Sequence, residues 1–359
     1  MDLQAQQGLM TTTRSAWRNR GWQAWMLAAG MMGFYYALYW TEWFTPAATA
    51  VGLKSKWYLY SVIYCLAMAG GAVYYLRHHG NSRYNQLRIA TNLAIQVLLG
   101  FTLPFVMPMF GGPEFYFSYF WPLKIDYLYP HTLESLPAYL SAYAVLMAFV
   151  VAPVLALFTG KRWYCSWVCG CGALANTFGD PWRHLSNKSH RAWRFEQYTL
   201  YGTLLVALGT TAIVFAGQLN PDWPTFGMLS ESAKGWYGFL VGSVLAGVVG
   251  TGLYPLLGPR VWCRNFCPLA ALLGITQKAG AFRIRVKPDM CISCGNCSAY
   301  CEMGIDVRAY AQSNTTFTRA SCVGCGMCAH VCPRGVLQLE STWSRSAATG
   351  YQGVSIAEL

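Results

Sequence analysis

The chain has 359 residues, 55% of them hydrophobic and 16% aromatic against only 11% charged, with a positive mean hydropathy. That balance excludes an ordinary soluble enzyme and indicates a membrane protein. The formal charge of +12 invites nucleic acid as a partner, but the basic residues fall in alternate connections and no recognition motif accompanies them, so nucleic acid is set aside.

Six apolar stretches reach the roughly 20 residues a helix needs to cross a bilayer: 22–44, 57–76, 89–110, 136–158, 196–217 and 235–257. Residues 1–20 form an N-terminal tail without a cleavable signal, so the first stretch is expected to stay as an anchor. Arg14, Arg18 and Arg20 precede the first stretch, Arg77, Arg83 and Arg88 follow the second, and Lys161, Arg162, Arg183, Lys188, Arg191 and Arg194 follow the fourth. The other connections hold only Lys54, Lys56, Lys124 and Lys234. The positive-inside rule then places both termini in the cytoplasm and loops 45–56, 111–135 and 218–234 outside. The aromatic loop 110–130 reads as an interfacial belt.

After the fourth stretch comes KRWYCSWVCGCG (161–172), and after the sixth GPRVWCRNFCPLAAL (258–272). Both follow G-x-R-x-(Y/W)-C-x3-C-x3-A-L, pairing Gly160 with Gly258, Arg162 with Arg260, Cys165 with Cys263, Cys169 with Cys267 and Leu174 with Leu272. The predicted topology brings both copies out at the same membrane surface. Cysteines at i and i+4 share a face if the segment is helical, and two such faces supply four thiolates, enough for a further cluster or a tetrahedral metal. The alternative is that these small apolar side chains pack helix ends. Cys171 has no counterpart and stays unassigned. Apart from Cys65, inside the second stretch, the cysteines fall on the reducing side, where ligation is favoured over disulfides.

The C-terminal region carries two C-x2-C-x2-C-x3-C runs, Cys291, Cys294, Cys297, Cys301 and Cys322, Cys325, Cys328, Cys332, offset by 31 residues. Three thiolates on one loop hold three irons of a cubane, and in this arrangement the fourth cysteine of each run ligates the other cluster. Cys291, Cys294, Cys297 and Cys332 are thus expected on one [4Fe-4S] cluster, and Cys322, Cys325, Cys328 and Cys301 on a second, with iron as the metal. Zinc is the alternative for C-x2-C pairs. Strands are predicted at 282–286 and 336–340, with a hairpin over 305–320. The region 280–340 resembles the bacterial two-cluster ferredoxin domain. Pro333 follows the fourth cysteine of the second run, whereas Glu302 takes that place in the first. Residues 341–359 read as a flexible tail.

The expected fold is therefore an all-α polytopic membrane domain of six transmembrane helices (21–279) followed by a small α+β ferredoxin domain with two [4Fe-4S] clusters. Across 136–340 the order of parts resembles the membrane-bound ferredoxin-type proteins of the NapH, MauN and NosR group. The resemblance implies a multi-pass protein of the bacterial cytoplasmic membrane, with its clusters on the cytoplasmic side, linking the quinone pool to iron–sulfur clusters. It carries Cys263, Cys267 and Pro268 onto the C-x3-C-P motif, Cys165 and Cys169 onto its first copy, and the eight ferredoxin ligands onto theirs. Gly170 replaces the usual proline of the first copy, six spans exceed the four of the nitrate-reductase type, and no flavin domain precedes the spans.

A quinone exchanges two electrons and two protons, whereas a cluster takes one electron, so a titratable group is expected near the quinone. His184, with Asp180 and Arg183 in the run DPWRH, is the candidate for proton exchange and carbonyl steering, although Asp180–Pro181 equally reads as a helix N-cap with a first-turn proline. No histidine falls inside a predicted span and no C-x-x-C-H occurs, so haem is not expected. The function expected is single-electron transfer between quinone or quinol and a redox protein partner, as a quinol dehydrogenase or quinone oxidoreductase subunit in contact with lipid. The alternatives are an accessory reductase for metalloenzyme maturation, of the cytochrome-oxidase accessory type, or a cluster-based redox sensor.

Overall fold

The computed structural model describes residues 20–219 and 224–342. The predicted tails lie outside these residues apart from Arg20, Ser341 and Thr342. In chain order, α1 (Trp22–Trp40), α2 (Lys56–His79), α3 (Arg83–Phe110) and α4 (Ala138–Thr159) lead to the first cysteine motif, which holds α5 (Arg162–Cys165) and α6 (Gly170–Asn176). Next, α7 (His190–Leu219) and α8 (Pro224–Tyr237), continued by the π-helical stretch Gly238–Val249, lead to the second motif, with α9 (Val261–Asn265) and α10 (Pro268–Ala279). The C-terminal region contains β1 (Phe282–Val286), α11 (Asn296–Ala299), α12 (Val307–Gln312), α13 (Met327–His330) and β2 (Leu337–Ser341).

The chain is thus mostly helical, with a small two-stranded sheet in its C-terminal region. Among the described residues, α2, α3, α4 and α7 are long and apolar enough to cross a membrane. The stretches expected as first and sixth spans are helical but less apolar. Gln23 and six Trp and Tyr residues dilute α1, and Glu231 and Lys234 lie in the helix that enters the sixth stretch.

Local chemistry explains the span ends. Ser55 accepts a hydrogen bond from the Trp57 N–H at 3.3 Å and starts α2, while Arg77, His78 and His79 oppose the negative end of its dipole. His78 and His79 therefore belong to the last turn of α2, and His190 opens α7, which corrects the expectation that all histidines fall outside the spans. In α4, Ala144, Ala148, Ala152 and Ala156 recur every four residues on the buried face, letting neighbours approach closely, while Phe149, Val150, Val154 and Phe158 face outward. In α7 the buried face runs through Leu200, Leu204, Ala207, Thr211 and Val214, and the Thr211 hydroxyl folds back onto the Ala207 carbonyl at 2.8 Å. The outward face carries Tyr198, Leu205, Val206 and Leu208, an apolar surface suited to lipid.

The loop predicted as an interfacial belt instead folds back between the helices. Phe115, Phe120, Trp121, Tyr127 and Tyr129 are buried. Its irregular backbone is supplied with donors: Tyr143 donates to the Phe117 carbonyl at 2.7 Å and Tyr164 to the Ser118 carbonyl at 2.8 Å. Non-helical backbone is tolerated inside a membrane bundle only on such terms.

In the C-terminal region β1 pairs antiparallel with β2, matching Ile284 with Leu339 and Val286 with Leu337, and the alternate residues Phe282, Ile284 and Val286 face the core. The predicted 305–320 hairpin is absent. Val307–Gln312 is helix, and Phe317 alone bridges back to Ile284. The ends of α2 and α4 and the starts of α3 and α7 all meet this region: His79 packs on Tyr300 and Tyr84 donates to Gly324, while Ala281 bonds to the Leu157 carbonyl and Trp193 lies under Arg319.

Candidate metal centres

The two C-terminal runs share one local design. Gly295 and Gly326, also 31 residues apart, take left-handed backbones (φ 80° and 79°) and cap the single-turn helices α11 and α13, where a Cβ would be strained. A small open pocket is lined by Cys291, Cys294, Cys297 and Cys332, with Pro333, Arg308 and Ile292 in its wall. The fourth cysteine of the second run thus stands with the first run. Reciprocally, Cys301 lies within electrostatic reach of Cys322, Cys325 and Cys328. Burial pushes the Cys297 and Cys322 thiols up to about 12, so these sulfurs keep their protons until metal replaces them.

Their surroundings differ sharply. Cys294 is exposed and Ile292 is 56% exposed, so the first set opens to the outside. The second set is covered by the helices. Arg88 donates to the Cys325 carbonyl, Tyr84 to that of Gly324 at 3.0 Å, Ser166 to that of Val323 at 2.7 Å, and Gln277 to that of Cys322 at 3.0 Å.

The membrane motifs are likewise a structural repeat. Gly160 (φ 71°) and Gly258 (φ 91°) end a helix in the same unusual backbone, a short helix carries Cys165 or Cys263, and Cys169 or Cys267 caps the next. Each C-x3-C is therefore a helix–turn–helix corner, not one helical face. Cys165, Cys169, Cys263 and Cys267 are all buried and lie within electrostatic reach of one another. The Cys171 thiol donates a hydrogen bond to the Cys169 sulfur, and both are free of disulfides.

The first motif follows directly on the end of α4, and side chains from inside α2 and α3 reach its backbone. Asn92 donates to the carbonyls of Ser166 and Trp167 (both 2.9 Å), Gln96 to that of Val168 (2.6 Å), and Tyr64 to that of Gly170 (2.8 Å). At 1.5 Å per residue, Asn92 and Gln96 lie about 14 and 20 Å in from the start of α3, and Tyr64 about 12 Å in from the start of α2. The first motif therefore lies beside the interior turns of α2 and α3.

The 4Fe-4S dicluster domain family matches residues 284–339, and a second family, described as a 4Fe-4S binding domain, matches 141–194 and 240–287, one motif in each segment. Three relatives are similar to part of the chain. NapH of Escherichia coli (strain K12), a ferredoxin-type protein, is 29% identical over 170 residues, 45% of this chain and 56% of NapH. MauN of Paracoccus denitrificans (strain Pd 1222), a methylamine utilization ferredoxin-type protein, is 28% identical over 163 residues, 43% and 54%. YccM of Escherichia coli (strain K12), whose name gives it a proposed electron transport role, is 26% identical over 183 residues, 49% and 50%. The chain spans about half the length of the curated relatives it matches. No solved structure matches it.

The chain is a 4Fe-4S ferredoxin-type protein related to NapH, MauN and YccM, with candidate membrane helices.

In this ferredoxin-type protein the residue that departs from the repeat, Glu302, holds the two regions together. Its fully buried carboxylate pairs with Arg260 at 3.0 Å and Arg183 at 2.9 Å. Arg260 reaches on to the Cys165 carbonyl at 3.1 Å, the Cys263 sulfur at 3.9 Å and Asn176 at 2.7 Å. Arg183 continues the chain to Asp180 at 2.7 Å, and Asp180 to His79 at 3.5 Å. Burial alone would raise the Glu302 and Asp180 carboxyls, but the neighbouring guanidiniums overcome it and hold both below their ordinary values.

Of the three residues proposed for quinone, two belong to this buried network. Asp180 is the first residue of the 3₁₀ turn Asp180–Leu185, with Pro181 next, and the N-cap is Gly179. Arg183 is buried between two carboxylates, while His184 is exposed and its carbonyl accepts from Lys188. The sequence offered no signal for Arg260 and Glu302 as partners beyond the missing proline.

The cysteine sets fit anionic clusters on independent grounds. Arg88 and Lys161 are fully buried, with no carboxylate among the described residues at ion-pair distance. The Nε atoms of Arg88 and Arg260 have no hydrogen-bond acceptor there. Buried cations and donors without partners are costly, and a thiolate-ligated cluster supplies both charge and acceptors.

Proposed function

We propose that this protein transfers single electrons between quinone or quinol and a soluble redox partner. Clusters bound at its cysteines supply one-electron carriers, matching the two electrons and two protons of a quinol to successive single steps. Cys291, Cys294, Cys297 and Cys332 hold one [4Fe-4S] cluster, Cys322, Cys325, Cys328 and Cys301 a second, and Cys165, Cys169, Cys263 and Cys267 a further cluster between the helices. The observation that carries this reading is the graded burial of the three sets: one enclosed by spans, one pressed against them, one open. The open set is where a partner protein meets the chain. The proposed topology keeps six membrane helices, adding α1 and the α8 continuation to the four apolar spans, with the two C-terminal clusters on the basic, cytoplasmic side.

Within this reading Arg260 and Glu302 fix the distance between the membrane motif and the second C-terminal set. His184, exposed on the turn that follows the first motif, is the residue proposed to exchange protons with quinone.

The test is anaerobic mixing of purified protein with quinol, and of reduced protein with quinone, followed by cluster absorbance and EPR. Rapid exchange in either direction is expected, and its loss in Cys165→Ser and Cys263→Ser proteins. No exchange in either direction, with clusters intact and reducible by dithionite, overturns the quinone reading in favour of an accessory reductase.

A further inference from the structure

We propose that the ammonium group of Lys161 is a built-in counter-charge for an anionic iron–sulfur cluster on Cys165, Cys169, Cys263 and Cys267, and sets the potential at which that site takes an electron. The inference rests on the reading that those four cysteines hold a cluster.

Gly160 turns the chain at the end of α4, and Lys161 is the next residue, its side chain 0% exposed. Its backbone N–H donates to Gln277 Oε1 at 2.8 Å, and Gln277 in turn donates to the Cys322 carbonyl at 3.0 Å. Its Nζ lies 3.5 Å from the Ala270 carbonyl, and the N–H of that same residue points at the Cys267 sulfur at 3.4 Å. The ammonium therefore stands between the membrane cysteines and the loop of the second C-terminal set. Among the described residues its charge reaches the Cys165, Cys263 and Cys322 thiols and one carboxylate, Glu196, which is already paired with Arg264 at 3.5 Å.

The internal repeat shows that the corner forms without a lysine at this position, the second copy burying Arg260 instead. Gly160 and Gly258 correspond, as do Arg162 and Arg260, and the residue matching Lys161 is Pro259. Both copies make the same corner, yet only one carries a lysine into the interior. An ammonium removed from water without a counter-ion is penalised by several kcal/mol. Four thiolates outweigh the positive charge of an iron–sulfur core, so the ligated cluster is a net anion and removes that penalty. Net charge and hydrogen bonding are among the factors that set cluster potentials. A fixed cation favours the reduced form, which carries one electron more.

The experiment is an EPR-monitored redox titration of the full-length protein with dithionite and mediators, together with iron analysis, for wild type, Lys161→Met and Lys161→Arg. The membrane site of Lys161→Met is expected to take its electron at a lower potential. A tenfold or greater drop in the equilibrium constant for one-electron reduction corresponds to about 59 mV or more. Lys161→Arg stays near wild type, and the open set around Cys294 is unmoved in both. Loss of the membrane cluster in Lys161→Met alone supports the inference equally, since a neutral side chain then fails where a cation serves. Three clusters in every variant with unmoved potentials overturn the inference but leave the cluster reading standing. Iron for only two clusters in the wild type overturns both.

Discussion

The two cysteine repeats use duplication in opposite ways. In the C-terminal pair, the backbones match down to the φ of Gly295 and Gly326, but one set opens outward and the other is covered by helices. In the membrane pair the matching corners bring four buried cysteines within electrostatic reach of one another. Duplication of the first kind makes two similar sites with different neighbours. Duplication of the second kind, on the proposed reading, joins two halves into one site.

Substitutions at matching positions of each pair separate the two kinds. The largest effect belongs to the joined site: replacing Cys165 and Cys263 by Ser is expected to lower the iron content from three clusters to two, without touching the EPR signals of the C-terminal pair. A protein that keeps all its iron breaks the idea of a shared site.

Next is the non-equivalent position after each fourth cysteine. Glu302→Gln leaves Arg183 and Arg260 buried without their shared carboxylate, which costs about 3–5 kcal/mol for a broken buried pair. Pro333→Ala at the matching exposed position costs less than about 0.5 kcal/mol. Thermal unfolding in detergent separates the two.

The matching glycines give a smaller contrast. Either change to Ala forces a left-handed alanine, about 1–2 kcal/mol. Gly326→Ala is the worse of the two, because its Cβ meets the Tyr84 ring at 2.8 Å, whereas at Gly295 the nearest atoms are those of Arg308 at 3.9 Å. Equal losses in the same melting assay remove the asymmetry of environment.

Asp180→Asn is the smallest, about 1 kcal/mol, since Arg183 retains Glu302. The Asp180 carboxyl is depressed in the fold, so its contribution is full above the ordinary value of 3.8 and disappears as pH falls below it. The variant and the wild type are expected to differ at neutral pH and to converge in acid. A gap that persists in acid excludes the ion pair as its source.

The sequence carried the metal chemistry well because cysteine spacing is local. Cys291 to Cys301 and Cys322 to Cys332 announce themselves within eleven residues, and the core alternation of Phe282, Ile284 and Val286 gave β1 with the same bounds. Depth was not legible, because Asn92, Gln96 and Tyr64 reach the first motif across 72 to 106 residues. Those three polar side chains inside apolar stretches were the available signal, since a membrane bundle keeps such groups only where backbone needs them. Glu302 was noticed as a missing proline, but its partner Arg183 is 119 residues away. The 307–312 helix escaped notice because a six-residue element is too short for periodicity to separate it from a strand. Aromatic content misplaced the 110–130 loop, since rings suit a membrane interface and a packed interior alike.

The four carbonyls at Cys322, Val323, Gly324 and Cys325 are each taken by a donor from outside the C-terminal region: Gln277, Ser166, Tyr84 and Arg88. Releasing that region would strip four backbone acceptors and the Glu302 pairs at once, so it is not a tethered shuttle that swings between stations. It is a fixed socket, and any protein that trades electrons with it has to do the travelling.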